Sequence, residues 1–241
     1  MSVKFRLVEP EPELEPTRSG CDYLTQTPRT LDHHLHVLHE FGARRHFSRN
    51  QTIFREGDPA DRFYRVISGT IRLCRHAPDG RRHIAEFHLP GDLVGFVDHA
   101  EHPYTAEAVT AVTVKSYPRN QLERLGASDP DVRSRVLMHL SASLLSAQQH
   151  LFVLGCRNAK ERFAEFLLRL AERTDVLWGA PMELTMGRRD IADHLGVTIE
   201  SICRSIAALK KDGLVTVPNT HQLILNNVAK LRAVADGRDA L

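Results

Sequence analysis

Residues 187–214 read GRRDIADHLGVTIESICRSIAALKKDGL, and their spacing decides the architecture of the C-terminal part of the chain. With Arg188 as the first position, Ala192 falls fifth, Gly196 ninth and Ile202 fifteenth. Two helices that cross at a tight turn need a small residue at the crossing, a left-handed residue in the turn and an apolar residue that locks the second helix onto the first. All three requirements are met. Thr198 suits the N-cap of the second helix, Lys210 and Lys211 suit the negative end of its dipole, and Gly213 suits the left-handed position beyond its C-terminus. The pattern predicts a helix-turn-helix. The LVTV, PNTH and QLILN that follow alternate as strand, turn and strand, so a β-wing is expected behind it.

In such a motif the second helix enters the major groove of DNA with its N-terminal residues facing base edges. Those residues here are Ile199, Glu200, Ser201, Cys203 and Arg204. A carboxylate at Glu200 accepts from cytosine N4, and Arg204, one turn later, matches guanine O6 and N7 with two donors. Glu200 and Arg204 also have the i, i+4 spacing of an intrahelical ion pair, and the two roles are compatible. Arg188, Arg189, Thr198 and Ser201 fall where the first helix starts and the second begins. That placement suits phosphate contacts, which set position and salt dependence but not sequence.

Working upstream, Asp129-Pro130 has the form of an N-cap followed by proline at the first helical position, and no Gly or Pro follows until Gly155. Leu137, Leu140, Leu144, Ala147, Leu151 and Leu154 recur at intervals of three and four, an a/d seam that predicts a dimerisation helix over residues 129–157. Asn158 suits the cap of a further helix with Phe163, Phe166, Leu167 and Leu170 on its buried face, opening a winged helix-turn-helix domain over residues 158–241. Between Arg45 and Pro118 the texture is short apolar runs broken by Gly57-Asp58, Ser68-Gly69, Asp79-Gly80, Pro90-Gly91-Asp92 and Pro103. Short strands at that spacing predict an antiparallel jelly roll, placed over residues 31–128, and the whole chain is α+β. Leu31, Leu35, Leu38 and Phe41 suggest a short leading helix carrying His33, His34, His36 and His39. Residues 1–30 are rich in Glu and Pro and are expected to be disordered.

The 241 residues suit two domains on the usual prior of roughly 100 to 200 residues each. With 32 Lys and Arg against 30 Asp and Glu, the formal charge is only +2, so affinity for DNA must come from local arrangement. No apolar run approaches a membrane span, and the N-terminus has no apolar stretch resembling a signal peptide. Cysteines at 21, 74, 156 and 203 form no C-x-x-C pair. A reducing, cytoplasmic setting is expected.

The order of jelly roll, long helix and winged helix-turn-helix, with QTIFREGDPADRFYRVISGTIRL, EFHLPGDLVGF and GRRDIADHLGVTIESICR, resembles the CRP/FNR superfamily of bacterial transcription regulators, its FNR/FixK branch most of all. The resemblance covers about residues 31–227 and implies a homodimer that binds DNA and contacts RNA polymerase. It further implies half-sites containing TTGA, because Ile199 stands where the cyclic-AMP branch has an arginine that reads another guanine. Oxygen-sensing members hold a [4Fe-4S] centre on an N-terminal cysteine cluster, whereas the tail here offers only Cys21. Cyclic-AMP binders place Arg-Ser in the pocket; the matching stretch GFVDHAEHPYTAEAV has Phe96 and Tyr104-Thr105 instead. Neither group is expected, and no cofactor is assigned.

Haem or a metal held by histidines, among them His99 and His102, is the alternative sensor reading. A jelly-roll metalloenzyme is the reading from another class, but His34-Leu35-His36 precedes the sheet, and His83, Glu86 and His88 lack the spacing such a site needs. The chain is therefore not expected to be an enzyme. At the tip of a charged hairpin, Asp79, Arg81 and Arg82 are the candidate contact for RNA polymerase. Cys203 occupies a position where related helices commonly have serine, beside Arg204 and near a positive helix end, and is a candidate for oxidation.

Overall fold

Eight short strands between Ala43 and Pro118 alternate side chains between two faces, and this period of two builds two facing sheets. They are β1 (Ala43–Phe47), β2 (Thr52–Phe54), β3 (Arg62–Ser68), β4 (Ile71–His76), β5 (Arg82–His88), β6 (Leu93–Val94), β7 (Thr105–Ala108) and β8 (Val112–Pro118). Their orders are β1-β8-β3-β6 and β2-β7-β4-β5, with every pairing antiparallel, as expected of a jelly roll. Phe54, Tyr64, Val66, Ile71, Val112 and Val114 form the core of this domain. At the β3–β4 turn Gly69 has φ +85, and a Cβ there would stand 2.2 Å from the Ala111 carbonyl, so only glycine fits. The computed structural model describes residues 42–238. The Glu- and Pro-rich stretch, the expected histidine-bearing helix and Cys21 lie outside the described residues.

Three helices follow: α1 (Arg119–Ser128), α2 (Pro130–Cys156) and α3 (Ala159–Thr174). The Asp129 carboxylate accepts from the backbone N–H groups of Asp131 and Val132 and starts α2, whose 27 residues make it the longest helix described. Val132 anchors it against Phe63, Leu93 and Tyr117 of the jelly roll. Asn158 and Glu161 close a capping box at the start of α3. α1 was not expected within the 31–128 sandwich: it begins behind Pro118 with no side-chain cap, so it carries little local signal.

The C-terminal part contains β9 (Pro181–Glu183), α4 (Arg188–Leu195), α5 (Ile199–Lys211), β10 (Val215–Asn219), β11 (Gln222–Leu225) and α6 (Val228–Ala235). The wing is a three-stranded sheet ordered β10-β11-β9, not the expected hairpin. Its extra strand is only Pro-Met-Glu, with Met182 buried, too short to show a period in sequence. Cys74, Ile84 and Phe87 of the jelly roll join Phe163, Leu167, Ile191 and Leu195 in one apolar cluster. The two halves of the chain thus share a core. No helix among the described residues is long and apolar enough to cross a membrane.

Candidate nucleic-acid interface

Ala192 and Ile202 are buried where α4 and α5 meet, and Gly196 takes the left-handed backbone of the turn with φ +62. The Thr198 hydroxyl accepts from the Ser201 N–H at 3.2 Å and starts α5. At the other end Leu214 N–H donates to the Leu209 carbonyl at 2.9 Å and Gly213 N–H to the Lys210 carbonyl at 3.1 Å, a Schellman closure. Ile202, Ser205 and Leu209 point inward, which turns Glu200 and Arg204 to solvent with Ser201 and Cys203 half-buried beside them. Arg204 Nη2 donates to Ser201 Oγ at 3.3 Å. The Glu200 carboxyl is held below its usual range by its own backbone N–H, then by the Thr198 hydroxyl, with the Arg204 charge adding to both. It stays an acceptor at neutral pH. Arg188 Nη1 donates to Cys203 Sγ at 3.4 Å, tying the start of α4 to α5, and Arg189 is exposed next to it.

Along α2, Leu137, Leu144 and Leu151 are 59, 61 and 67% exposed, and Leu140 and Ala147 are exposed as well. A contiguous row of exposed apolar side chains on a helix has the character of an interaction surface. Leu154 departs from the expected seam. It is half-buried beside the Gly196 turn, and its carbonyl accepts from Arg162 Nη2 at 2.8 Å. Arg162 also donates to the carbonyls of Arg157 at 2.7 Å and Leu195 at 2.8 Å, so one guanidinium fastens the C-terminal ends of both α2 and α4. Sequence reasoning missed a second exposed stripe, Met138, Leu145 and Phe152, spaced by sevens beside the first.

Two family patterns cover most of the chain: a cyclic nucleotide-binding domain over residues 44–129 and a Crp-like helix-turn-helix domain over residues 161–234. The nitrogen fixation regulation protein FixK of Azorhizobium caulinodans is 36% identical over 77% of this chain and 76% of its own length. The chain belongs to the CRP/FNR family of transcription regulators. Within this family it is FixK-like: FixK of Bradyrhizobium diazoefficiens is 38% identical over 76% of the chain and 78% of its own length. The solved structure of FixK2 from Bradyrhizobium japonicum superposes with a TM-score of 0.77 at 32% identity, covering 80% of this chain and 97% of that one. The fumarate and nitrate reduction regulatory protein of Escherichia coli is 34% identical over 84% of the chain and 83% of its own length. This CRP/FNR protein is a DNA-binding transcription regulator and not an enzyme.

A cyclic nucleotide does not fit the segment after Gly95. His102 is buried there, stacked on Phe54 with ring centroids 3.7 Å apart, and a Cβ on Gly95 would meet its ring at 2.9 Å. The segment contributes no arginine, and Arg119, which reaches it from α1, is engaged by Asp98 and the His99 carbonyl. The described cysteines do not fit a cluster either: Cys74 lies in β4, Cys156 at the end of α2 and Cys203 in α5. Burial pushes the Cys74 thiol up to about 11, which leaves it inert at neutral pH. Among the described residues no three His, Cys, Asp or Glu side chains converge to hold a metal. At the β4–β5 tip Asp79 and Arg81 pair in solvent at 2.7 Å. Arg82 departs from the expected exposed tip, because its guanidinium turns inward to Asp190 and Asp193 of α4.

Beside this contact a cavity of about 430 Å³ opens between β5, α2, α3 and α4, with His150 and His194 on its wall. Their rings stack with centroids 4.3 Å apart, and His194 Nδ1 donates to the Ile84 carbonyl at 3.0 Å. Burial foremost, then Arg169 and His83, pushes His150 down to about 4, against the pull of the His194 hydrogen bond and Glu86. Burial, His150, Arg169 and His83 push His194 to about 3 against its bond to Ile84. A histidine whose folded value lies below about 6.5 takes up its proton first in the unfolded chain, so its contribution is complete above that pH and lost as pH falls. His102 and His139, lowered mainly by burial, act in the same direction. The melting temperature is therefore expected to drop between pH 6.5 and 5, each histidine costing up to about 1.4 kcal/mol per pH unit. His150→Phe, which keeps the stack, is expected to flatten that slope; an unchanged slope by circular dichroism refutes the assignment.

Proposed function

We propose that this regulator acts as a homodimer through α2 and reads TTGA-type palindromes with Glu200, Ser201, Cys203 and Arg204, while Arg188, Arg189 and Thr198 hold phosphates. The exposed leucine row on α2, which ends where Arg162 joins it to the helix-turn-helix, carries this reading. A dimer pairing those rows places two recognition helices on two half-sites about one helical turn apart. Selection from random DNA tests it: TTGA half-sites in inverted repeat are expected, and recovery of TGTGA half-sites overturns the base assignment.

The exposed Asp79–Arg81 tip is the surface proposed to touch RNA polymerase. Arg81→Glu is expected to lower in vitro transcription while leaving DNA affinity unchanged, and unchanged transcription removes the contact.

Cys203 is proposed as a point of redox control, because oxidation would add bulk, and charge at the sulfinic stage, beside Arg204 and at a sulfur that already accepts from Arg188. Peroxide is expected to weaken binding of wild type but not of Cys203→Ser at one fixed salt concentration. Equal losses in both end the idea.

A further inference from the structure

The face of α4 turned away from the recognition row carries charge into the interface with the jelly roll. Asp190, in the first turn of α4, has a side chain only 12% exposed and sits between two guanidinium groups. Arg72 of β4 donates to Asp190 Oδ2 through Nη1 at 3.2 Å and holds Glu107 of β7 at 2.7 Å through Nη2. Arg82, at the start of β5, pairs with Asp190 Oδ1 through Nη2, and its Nε donates to Asp193 Oδ2 at 2.8 Å. Two cations and three carboxylates from four elements thus interlock, with all five side chains at most 22% exposed.

Around it Cys74, Ile84 and Phe87 meet Ile191 and Leu195 in an apolar contact, crossed by the hydrogen bond from His194 Nδ1 to the Ile84 carbonyl. A greasy interface alone tolerates sliding. A buried ion network does not, because a shift of a few ångströms strands a desolvated charge without its partner. It therefore selects one seat for α4, as single polar groups fix register in apolar helix interfaces. Since α5 packs on α4, and the jelly roll anchors α2 through Val132, that seat sets the recognition helix relative to the dimerisation helix. In this seat Glu200 and Arg204 stay exposed, with Ser201 and Cys203 half-buried beside them.

We propose that Asp190 and Arg82 are positioning residues for DNA recognition: the buried Arg72–Asp190–Arg82–Asp193 latch seats the helix-turn-helix on the jelly roll and thereby sets the half-site spacing this regulator accepts. The proposal rests on the dimer reading above. It gives Arg82 a role inside the molecule in place of one at its surface.

The test uses the full chain and a set of palindromes with fixed half-sites and spacers one base pair shorter and longer than the best. Wild type is expected to prefer one spacing sharply. Arg82→Ala and Asp190→Asn are expected to lose about tenfold in affinity at that spacing, since the competent orientation is then only partly populated, and to discriminate poorly among neighbouring spacers with an unchanged half-site sequence. Arg82→Lys keeps the charge without the fork and is expected to fall between; Asp193→Asn, at the edge of the network, serves should Asp190→Asn fail to fold. Folded variants with wild-type affinity and spacing preference overturn the latch, as does a loss equal at every spacing. If wild type selects no palindrome, the dimer reading itself falls.

Discussion

Arg204→Ala is expected to abolish discrimination of the TTGA palindrome while leaving weak, salt-sensitive binding to any duplex. Loss of a bidentate contact to guanine costs about 1–3 kcal/mol. A homodimer makes the contact twice, so the penalty is expected to approach double that figure. Arg204 is exposed on the solvent side of α5, where it donates to the Ser201 hydroxyl at 3.3 Å, a bond readily exchanged for a base edge. Folding is expected to be unaffected because Arg204 is exposed. Competition with nonspecific DNA at two salt concentrations checks the outcome: specific affinity must fall with little change in the salt slope. Retained preference for the palindrome would place the guanine reader elsewhere on α5.

Leu144→Glu is expected to turn the proposed dimer into a monomer of 27.2 kDa and to remove operator binding together with it. Leu144 is 61% exposed at the middle of the row formed by Leu137, Leu140 and Leu151, and the two-fold symmetry of the proposed dimer would bring it close to its own copy. The substitution removes apolar burial worth about 1.5–3 kcal/mol per leucine and sets two like charges against each other. Losing the second half-site lowers the affinity for a palindrome by about a hundredfold or more, because linked binding is replaced by single contacts. The isolated chain is expected to remain folded, since α2 is anchored by Val132 and Val153 and not by the row. Sedimentation with a melting curve on the same sample decides the matter. A dimer that persists in the Leu144→Glu variant would move the interface to the Met138, Leu145 and Phe152 stripe, which is also exposed.

Helix ends and turns were legible from the sequence because they are governed by residues within one turn of each other. Asp129, Asn158 and Thr198 cap as their side chains dictate, and Gly196 and Gly213 take the left-handed backbone that other residues resist. The exposed row proposed to read bases followed from the same local logic, since burying Ile202, Ser205 and Leu209 leaves Glu200 and Arg204 on the opposite side of one helix. α1 and β9 were not legible: one has no capping side chain, and the other is three residues long and gains its hydrogen bonds from β11.

What only the tertiary structure decided lies at the seam between the two halves. Arg82 and Asp190 are 108 residues apart, and nothing near either one indicates that a hairpin cation turns inward to meet a helix carboxylate. Leu154 obeys the seam period and yet packs beside Gly196, because Arg162 draws the end of α2 onto the DNA-binding domain. His150 and His194 read as scattered histidines until β5, α2, α3 and α4 converge, stack the two rings and half-bury both residues. Periodicity states which face of an element is apolar, but two apolar faces do not specify the angle at which they meet. That choice belongs to directional groups brought together from distant parts of the chain, whose burial is tolerated only when each finds its partner.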